Sequence, residues 1–412
     1  MAQRVAASDT ISNNISFTTG AHIVARELSF ADRFGRDPAV LTRSPGRVNL
    51  IGDHTDYNQG YVLPTAIDRH TKFAAAPRAD RMLRVYCEAY QEEAEIDLDG
   101  HIGLLGDNTH WSNYVRGAVW WLREHDYNSV GADILIWGDL PLGVGMASSA
   151  SMIMGVMATL AQLSGWNVPK DEMSRAGQKV ESEFIEQVNG LVDEVAIAHS
   201  EPRTALLIDC RSMGITTVPF NPAAAGLSLV IVNSGITRED SNSVLTKRRR
   251  ECEAALGALK VITYNLELQS LRDITPDTLH SYGGKLYPTL YKRARHVITE
   301  NERVLQTVVA LSVNDFDTAG RLMYESHESL KNDYEVSNLF MDRLVELAQD
   351  TEGVVGARMF GQGFGGCTVN LVQNTAIRSF DRNVVRRYTE ETSLKAETYV
   401  VRPAGGLEVD VL

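Results

Sequence analysis

Apolar and polar positions follow two rhythms along the 412 residues. Runs at 83–89 and 132–137 are short and dense in aliphatic and aromatic side chains, as strands are. They alternate with stretches at 113–124, 149–163 and 171–188 whose apolar positions recur at helical spacing. Beyond about residue 215 the pattern changes. It predicts a strand at 227–233, helices near 243–259, 290–311, 315–330 and 336–349, a strand at 367–372, a helix near 376–392 and a strand at 397–401. No internal repeat or low-complexity linker separates the halves. The expected fold is therefore α+β, with mixed sheets carrying helices on one side, in two domains at 21–215 and 216–412 behind a flexible stretch at 1–20. A chain of this length exceeds what one core organises, which favours two domains sharing a cleft.

Composition narrows the class. Hydrophobic residues make up 44% and charged residues 23%, ordinary values for a globular protein. The formal charge of −13 repels polyanions and argues against a nucleic-acid partner, so a small anionic ligand needs a local positive site. No run approaches the roughly 20 apolar residues that span a bilayer, and no membrane role is expected. Cys87, Cys210, Cys252 and Cys367 lie far apart with no C-x-x-C spacing, and residues 1–20 lack the apolar core of a signal peptide. Reduced, buried thiols in a cytoplasmic protein are the expectation.

Four segments carry candidate chemistry. The first, S-P-G-R-V-N-L-I-G-D-H-T-D-Y-N at 44–58, gathers Asp53, His54 and Asp56 within four residues. In an irregular segment these converge on the hydroxyls of a sugar, or they simply cap the turns of a solvated loop. Arg47 beside them is either a fixed ion pair or a clamp for developing negative charge. The second, L-P-L-G-V-G-M-A-S-S-A-S at 140–151, has the mechanics of a phosphate loop. Gly143 and Gly145 let backbone approach an anion, and Ser148, Ser149 and Ser151 offer hydroxyls and N–H groups where a helix begins. It lacks the Walker lysine, and a plain serine-capped helix is the alternative. The third, G-Q-G-F-G-G-C-T-V-N-L-V at 361–372, places four glycines ahead of an apolar strand, for close approach to a ligand or as a tight turn. The fourth, N-G-L-V-D-E at 189–194, follows the helix that carries Glu181. Asp193 there is a helix cap or, with Glu181, one of the two carboxylates a hydroxyl kinase uses for proton and magnesium.

The order of these segments resembles that of the galactokinases within the GHMP small-molecule kinases, over nearly the whole chain. The first is similar to the signature G-R-V-N-L-I-G-E-H-T-D-Y-N, the second to the ATP loop P-x-G-x-G-L-S-S-S-A-S, the third to G-x-G-F-G-G-C-T-V. Stretches at 206–212, 247–253, 295–297 and 333–337 resemble the same family. The resemblance implies an active site in the interdomain cleft and transfer of the γ-phosphoryl of Mg-ATP to the anomeric hydroxyl of a monosaccharide, galactose or a related neutral aldose. By motif, Asp193 is the base and Arg47 stabilises charge, while Asp53, His54, Asp56 and Gly190 bind sugar. Gly143, Gly145, Ser148 and Ser149 bind ATP, with Trp111 and Asn113 bordering the adenine pocket, and Ser148 and Glu181 hold Mg2+. The expected assembly is a monomer or weak homo-oligomer.

Departures cluster at the sugar site. Asp53 replaces a glutamate, Leu245 a sugar-contacting tyrosine, Asn189 a cysteine, Glu186 a glycine and Glu194 a glutamine, each altering polarity near the sugar. Extra carboxylates disfavour an acidic sugar. Ala147 replaces the first serine of the ATP loop. Two rival readings are a non-catalytic ATP- and sugar-binding regulator, disfavoured because Arg47, Asp193 and Glu181 are retained, and a kinase of a mevalonate-like alcohol or homoserine, disfavoured by the D-H-T-D segment. The basic run 247–250 fans around a helix and is expected to form a solvated face.

Overall fold

The computed structural model describes residues 29–187, 190–236 and 241–412. The stretch 1–20 and the departure at Asn189 lie outside the described residues. Twelve strands are described: β1 (Val40–Ile51), β2 (Tyr61–Pro77), β3 (Met82–Cys87), β4 (Glu92–Asp97), β5 (Ala132–Gly138), β6 (Thr204–Asp209), β7 (Gly214–Pro219), β8 (Leu227–Asn233), β9 (Val354–Phe360), β10 (Cys367–Gln373), β11 (Glu397–Val401) and β12 (Glu408–Val411). They form two sheets, one ordered β12-β1-β2-β5-β3-β4 with β6 and β7 attached through β2, the other ordered β11-β8-β10-β9. The α+β expectation holds.

Two expectations about architecture change. The division at 215/216 falls inside β7, which pairs with β6 and belongs to the first sheet. Moreover β12, from the end of the chain, pairs with β1, Val40 opposite Val411, so the C-terminus returns to the first domain. Helices also do not lie on one side only. Leu229 and Ile231 of β8 enter a core shared with Val48 and Leu50 of β1, while the alternate Val230 and Val232 pack with Leu344, Phe380 and Tyr388. A strand buried on both faces reads as a continuous apolar run, which by itself does not reveal the second helical layer. The shared core is apolar and joins the halves directly.

The first chemical segment is a strand through Ile51, not an irregular loop. Its side chains alternate: Val48 and Leu50 go to the shared core while Arg47 and Asn49 face a cavity. The turn begins at Gly52, at φ 98°, where an added Cβ would lie 2.6 Å from the Tyr61 carbonyl oxygen. A side chain there meets both a strained conformation and backbone. The expected helix at 171–188 is α-helical over Lys170–Lys179 and then widens into a π turn, Val180–Phe184, that carries Glu181. Among the described residues no helix is long and apolar enough to cross a membrane.

Candidate active site

Strand β1 brings Arg47 against two other segments at once. Its Nε and Nη2 donate to the two carboxylate oxygens of Asp193 at 2.7 and 2.6 Å, and its Nη1 donates to the Gly145 carbonyl at 2.7 Å. Its backbone N–H donates to the Met146 carbonyl at 3.1 Å. Arg47 thus ties the candidate base to the glycine loop through a bidentate, charge-assisted pair. Burial works against the charged guanidinium, yet the Asp193 carboxylate holds it above its ordinary value. Asp193 sits in the first turn of the helix Val192–His199, whose N-cap is Leu191, so it is not the cap.

The glycine loop has Gly143 at φ 71° and Gly145 at φ 92°, and it enters the helix Ser148–Ser164 through Ala147 at φ 62° with no side-chain cap. A helix start without a cap leaves N–H donors for an anion, and a Cβ at Gly143 would meet nothing within 4 Å. The third segment closes the arrangement from the other domain. Gly361 N donates to Asp53 Oδ1 at 3.3 Å, and Cys367 Sγ lies 3.1 Å from the Val144 carbonyl of the glycine loop.

Of the two serines at the helix start, it is Ser149 whose hydroxyl donates to Glu181 Oε1, at 2.6 Å. Ser148 Oγ instead accepts from Gly143 N at 3.4 Å, because successive helical residues point about 100° apart. One carboxylate and one hydroxyl fit Mg2+, which keeps water and phosphate ligands and needs no all-protein cage. Among the described residues no group of three or more His, Cys, Asp or Glu could hold a metal. The π turn aims the buried Glu181 at the helix start, a frequent use of such turns.

Beside Arg47 and Asp193 lies a cavity of about 110 Å³, well below the size that takes drug-sized ligands, and lined by Asp53, His54, Asp56, Tyr57, Gly190, Leu245 and Arg249 among others. The four expected sugar residues meet there. Asp53 accepts from Asn49 Nδ2 at 2.8 Å and from Arg358 Nη2 at 2.5 Å. The shorter carboxylate is therefore drawn back onto an arginine of β9. His54, at φ 65°, sets its Nδ1 2.9 Å from the Tyr57 hydroxyl, which meets the Tyr334 hydroxyl at 2.6 Å. Burial holds His54 well below the usual imidazole range, so it is neutral in the folded protein.

Sequence reasoning missed the residues behind the signature. Arg358 is fully buried, and it also donates to the Asn49 and Leu50 carbonyls. Glu300 accepts from Gly52 N at 3.0 Å and from Ser326 Oγ at 2.6 Å. His296 places Nε2 3.1 Å from the Asp53 carbonyl. The stretches at 295–297 and 333–337 were the available signal, since their resemblance marks them without saying what they hold. Burial lowers the His296 imidazole to about 4 from an unfolded value of 6.5. Between those values the unfolded chain binds the extra proton, so stability rises with pH there. We expect His296 to withdraw roughly 3 kcal/mol of stability as pH falls from 6.5 to below 4, and His296→Gln to flatten that part of a urea-denaturation pH profile.

The basic run is a solvated face only in part, at Lys247 and Arg250, which are exposed. Arg248 is buried and donates to the Tyr334 and Glu335 carbonyls at 2.7 and 2.8 Å, and Arg249 lines the cavity beside Arg47 and Asp193. Trp111 and Asn113 are also placed otherwise than expected. The Trp111 indole is buried, stacked 6.1 Å from the Tyr90 ring, with its N–H on Glu92, and Asn113 holds Leu105 and Asp107 of the preceding loop. Neither side chain offers an open face to adenine. Of the departures, Leu245 lines the cavity and Glu186 is exposed at φ 61°, a conformation glycine adopts freely. Glu194 does not line the cavity and is fully buried, with neither carboxylate oxygen hydrogen-bonded. Burial, then Glu181 and Asp193, push it well above the carboxylate range toward the neutral acid, a shape close to the family's glutamine. All four cysteines are free, three of them buried and Cys210 half-buried.

The fold and this site define a GHMP-type small-molecule kinase. Residues 28–77 match the galactokinase galactose-binding signature, 113–201 the GHMP kinases N terminal domain and 307–388 the GHMP kinases C terminal domain. The chain is 40% identical to a galactokinase of Roseiflexus sp. over 92% of its own length and 95% of the relative's, and 38% identical to one of Chloroflexus aggregans over the same shares. The crystal structure of Lactococcus lactis galactokinase complexed with galactose superposes with a TM-score of 0.85 at 35% identity, covering 92% of this chain and 97% of that one. Methanococcus jannaschii mevalonate kinase, at 16% identity and a TM-score of 0.64, shares the fold over 90% of this chain and all of its own. The chain belongs to the galactokinase family, and it is a sugar kinase.

Proposed function

We propose that this chain transfers the γ-phosphoryl group of Mg-ATP to the C1 hydroxyl of galactose. The observation that carries the reading is the Arg47 fork, which holds both oxygens of Asp193 and a carbonyl of the glycine loop within one hydrogen-bond length. Each Asp193 oxygen keeps a lone pair for a substrate hydroxyl, and the residue is 23% exposed toward the cavity side. The C1 O–H proton passes to Asp193 as the oxygen attacks Pγ and the Pγ–O bond to ADP breaks. Transfer of this kind is mostly positioning and charge stabilisation. Arg47 lies between base and loop, where negative charge on the attacking oxygen and the phosphoryl group develops. Ser149 and Glu181, with the neighbouring Ser148, would hold Mg2+, which neutralises phosphate charge when bound. The uncapped start of the helix Ser148–Ser164 receives the phosphates. Asp53, His54, Asp56 and Gly190 shape the sugar cavity.

A coupled ADP-release assay with Mg-ATP against galactose, glucose, mannose, arabinose, N-acetylgalactosamine and galacturonate tests this. Turnover of galactose above the other sugars is expected. Turnover confined to another sugar would overturn the choice of galactose, and ATP binding with silence across the panel would overturn the activity.

A further inference from the structure

We propose that Arg249 is a specificity-determining residue of the sugar cavity, donating to a ring hydroxyl that in turn donates to Asp56. The inference rests on the galactose-kinase reading above and deepens it.

Arg249 lies on the helix Ser241–Ile262, one turn after Leu245, so the two share a face, and both line the cavity. Leu245 gives that wall no hydrogen bond. The other arginines at this site are engaged: Arg47 by Asp193, Arg358 by Asp53, Arg248 by two carbonyls and Glu251. Arg249 differs. Its guanidinium carbon rests 4.8 Å from the centre of the Tyr57 ring, its Nε is sealed without an acceptor, and no ion pair engages it among the described residues. The stacking sets the plane of the fork, and Tyr57 is itself pinned through His54 and Tyr334. Arg249 is half-buried and lines the cavity, so its remaining guanidinium donors are open to a ligand there.

Asp56 supplies the complement. Burial pushes its carboxyl up, while the Tyr57 backbone N–H and then the charge of Arg249 draw it back down. Yet no ion pair joins Asp56 and Arg249 among the described residues. Gly190, which lines the same cavity, packs against Asp56, and an added Cβ there would lie 2.3 Å from Oδ2. A guanidinium only donates and a carboxylate only accepts, whereas a hydroxyl does both. Arg249 and Asp56 both line the one cavity, and a hydroxyl that reaches both satisfies both groups. Asp193 serves the reacting C1 hydroxyl, leaving Arg249 and Asp56 for a hydroxyl further round the ring.

The test compares kcat and KM of the wild type, Arg249→Met and Arg249→Lys on galactose and its 2-, 3-, 4- and 6-deoxy analogues. A site built to hydrogen-bond a hydroxyl rejects the analogue lacking it, so the wild type should disfavour one of these analogues by about 100-fold or more in kcat/KM. Arg249→Met should raise the galactose KM by about tenfold or more, leave kcat within about threefold and the ATP KM unchanged, and lose the discrimination against that analogue. Arg249→Lys, which keeps a donor and the charge, should recover part of it. An active wild type with Arg249→Met unchanged on all sugars, or weakened by one common factor on all of them, overturns the proposal alone. A wild type inactive on galactose overturns both this and the reading it rests on.

Discussion

Asp193→Asn is expected to lower kcat on galactose by about 10³-fold, within the range that a positioned general base contributes. The amide is close to isosteric, so the fold should tolerate it at a residue 23% exposed in its side chain. Its chemistry is not equivalent. Arg47 presents two N–H donors to two carboxylate oxygens, and an asparagine answers with one acceptor and one donor, so one arm of the fork faces an N–H2 group. The variant therefore lacks the proton acceptor and also releases Arg47 from the geometry that ties it to Gly145. The ATP KM should move little, because the uncapped helix start and the Ser149–Glu181 pair do not depend on Asp193. A kcat within tenfold of wild type would show that Asp193 is not the base.

The largest stability effect is expected at Arg358. Its side chain is fully buried, that of Asp53 is 7% exposed, and the pair joins the signature turn to β9 of the second sheet. Removing one member of such a pair strands the other as a buried charge, so Arg358→Met should destabilise by about 3–5 kcal/mol, read as a lower urea midpoint at unchanged slope. Asp53→Asn added to that variant removes the stranded charge and should recover a substantial part. Arg358→Met within about 1 kcal/mol of wild type would mean that the pair does not hold the turn.

What the sequence disclosed and what it withheld follow the range of the interactions involved. The glycine loop was legible because its chemistry is local: Gly143, Gly145 and the serines at the helix start act within a dozen consecutive residues. The strand 227–233 and the strand 397–401 were read at their observed bounds, since alternating or continuous apolar runs mark them. β1 was not. Its cavity-facing Arg47 and Asn49 gave the segment the polar density of a loop, and only pairing with β2 and β12 makes it a strand. The same holds for the domain boundary, which depends on β12 returning across the chain to β1. Arg358 and Arg249 were missed for a related reason. A buried arginine inside an apolar strand, or one in a basic run on a helix, reads from sequence as an anomaly or a solvated face. Its role appears only when a partner some 300 positions away, Asp53 for Arg358, is brought beside it. Trp111 shows the converse, an aromatic residue near a nucleotide motif whose ring the core has claimed.

The central claim is that Arg47 and Asp193 act on the hydroxyl of C1. Phosphorus NMR of the product formed from galactose carbon-13 labelled at C1 tests it most directly. A single sugar phosphate whose phosphorus couples to the labelled C1 is expected, formed by the wild type and not detectably by Asp193→Asn on the same timescale. A phosphate that shows no coupling to the labelled C1, or no transfer by a wild type that binds both ATP and galactose, would contradict it.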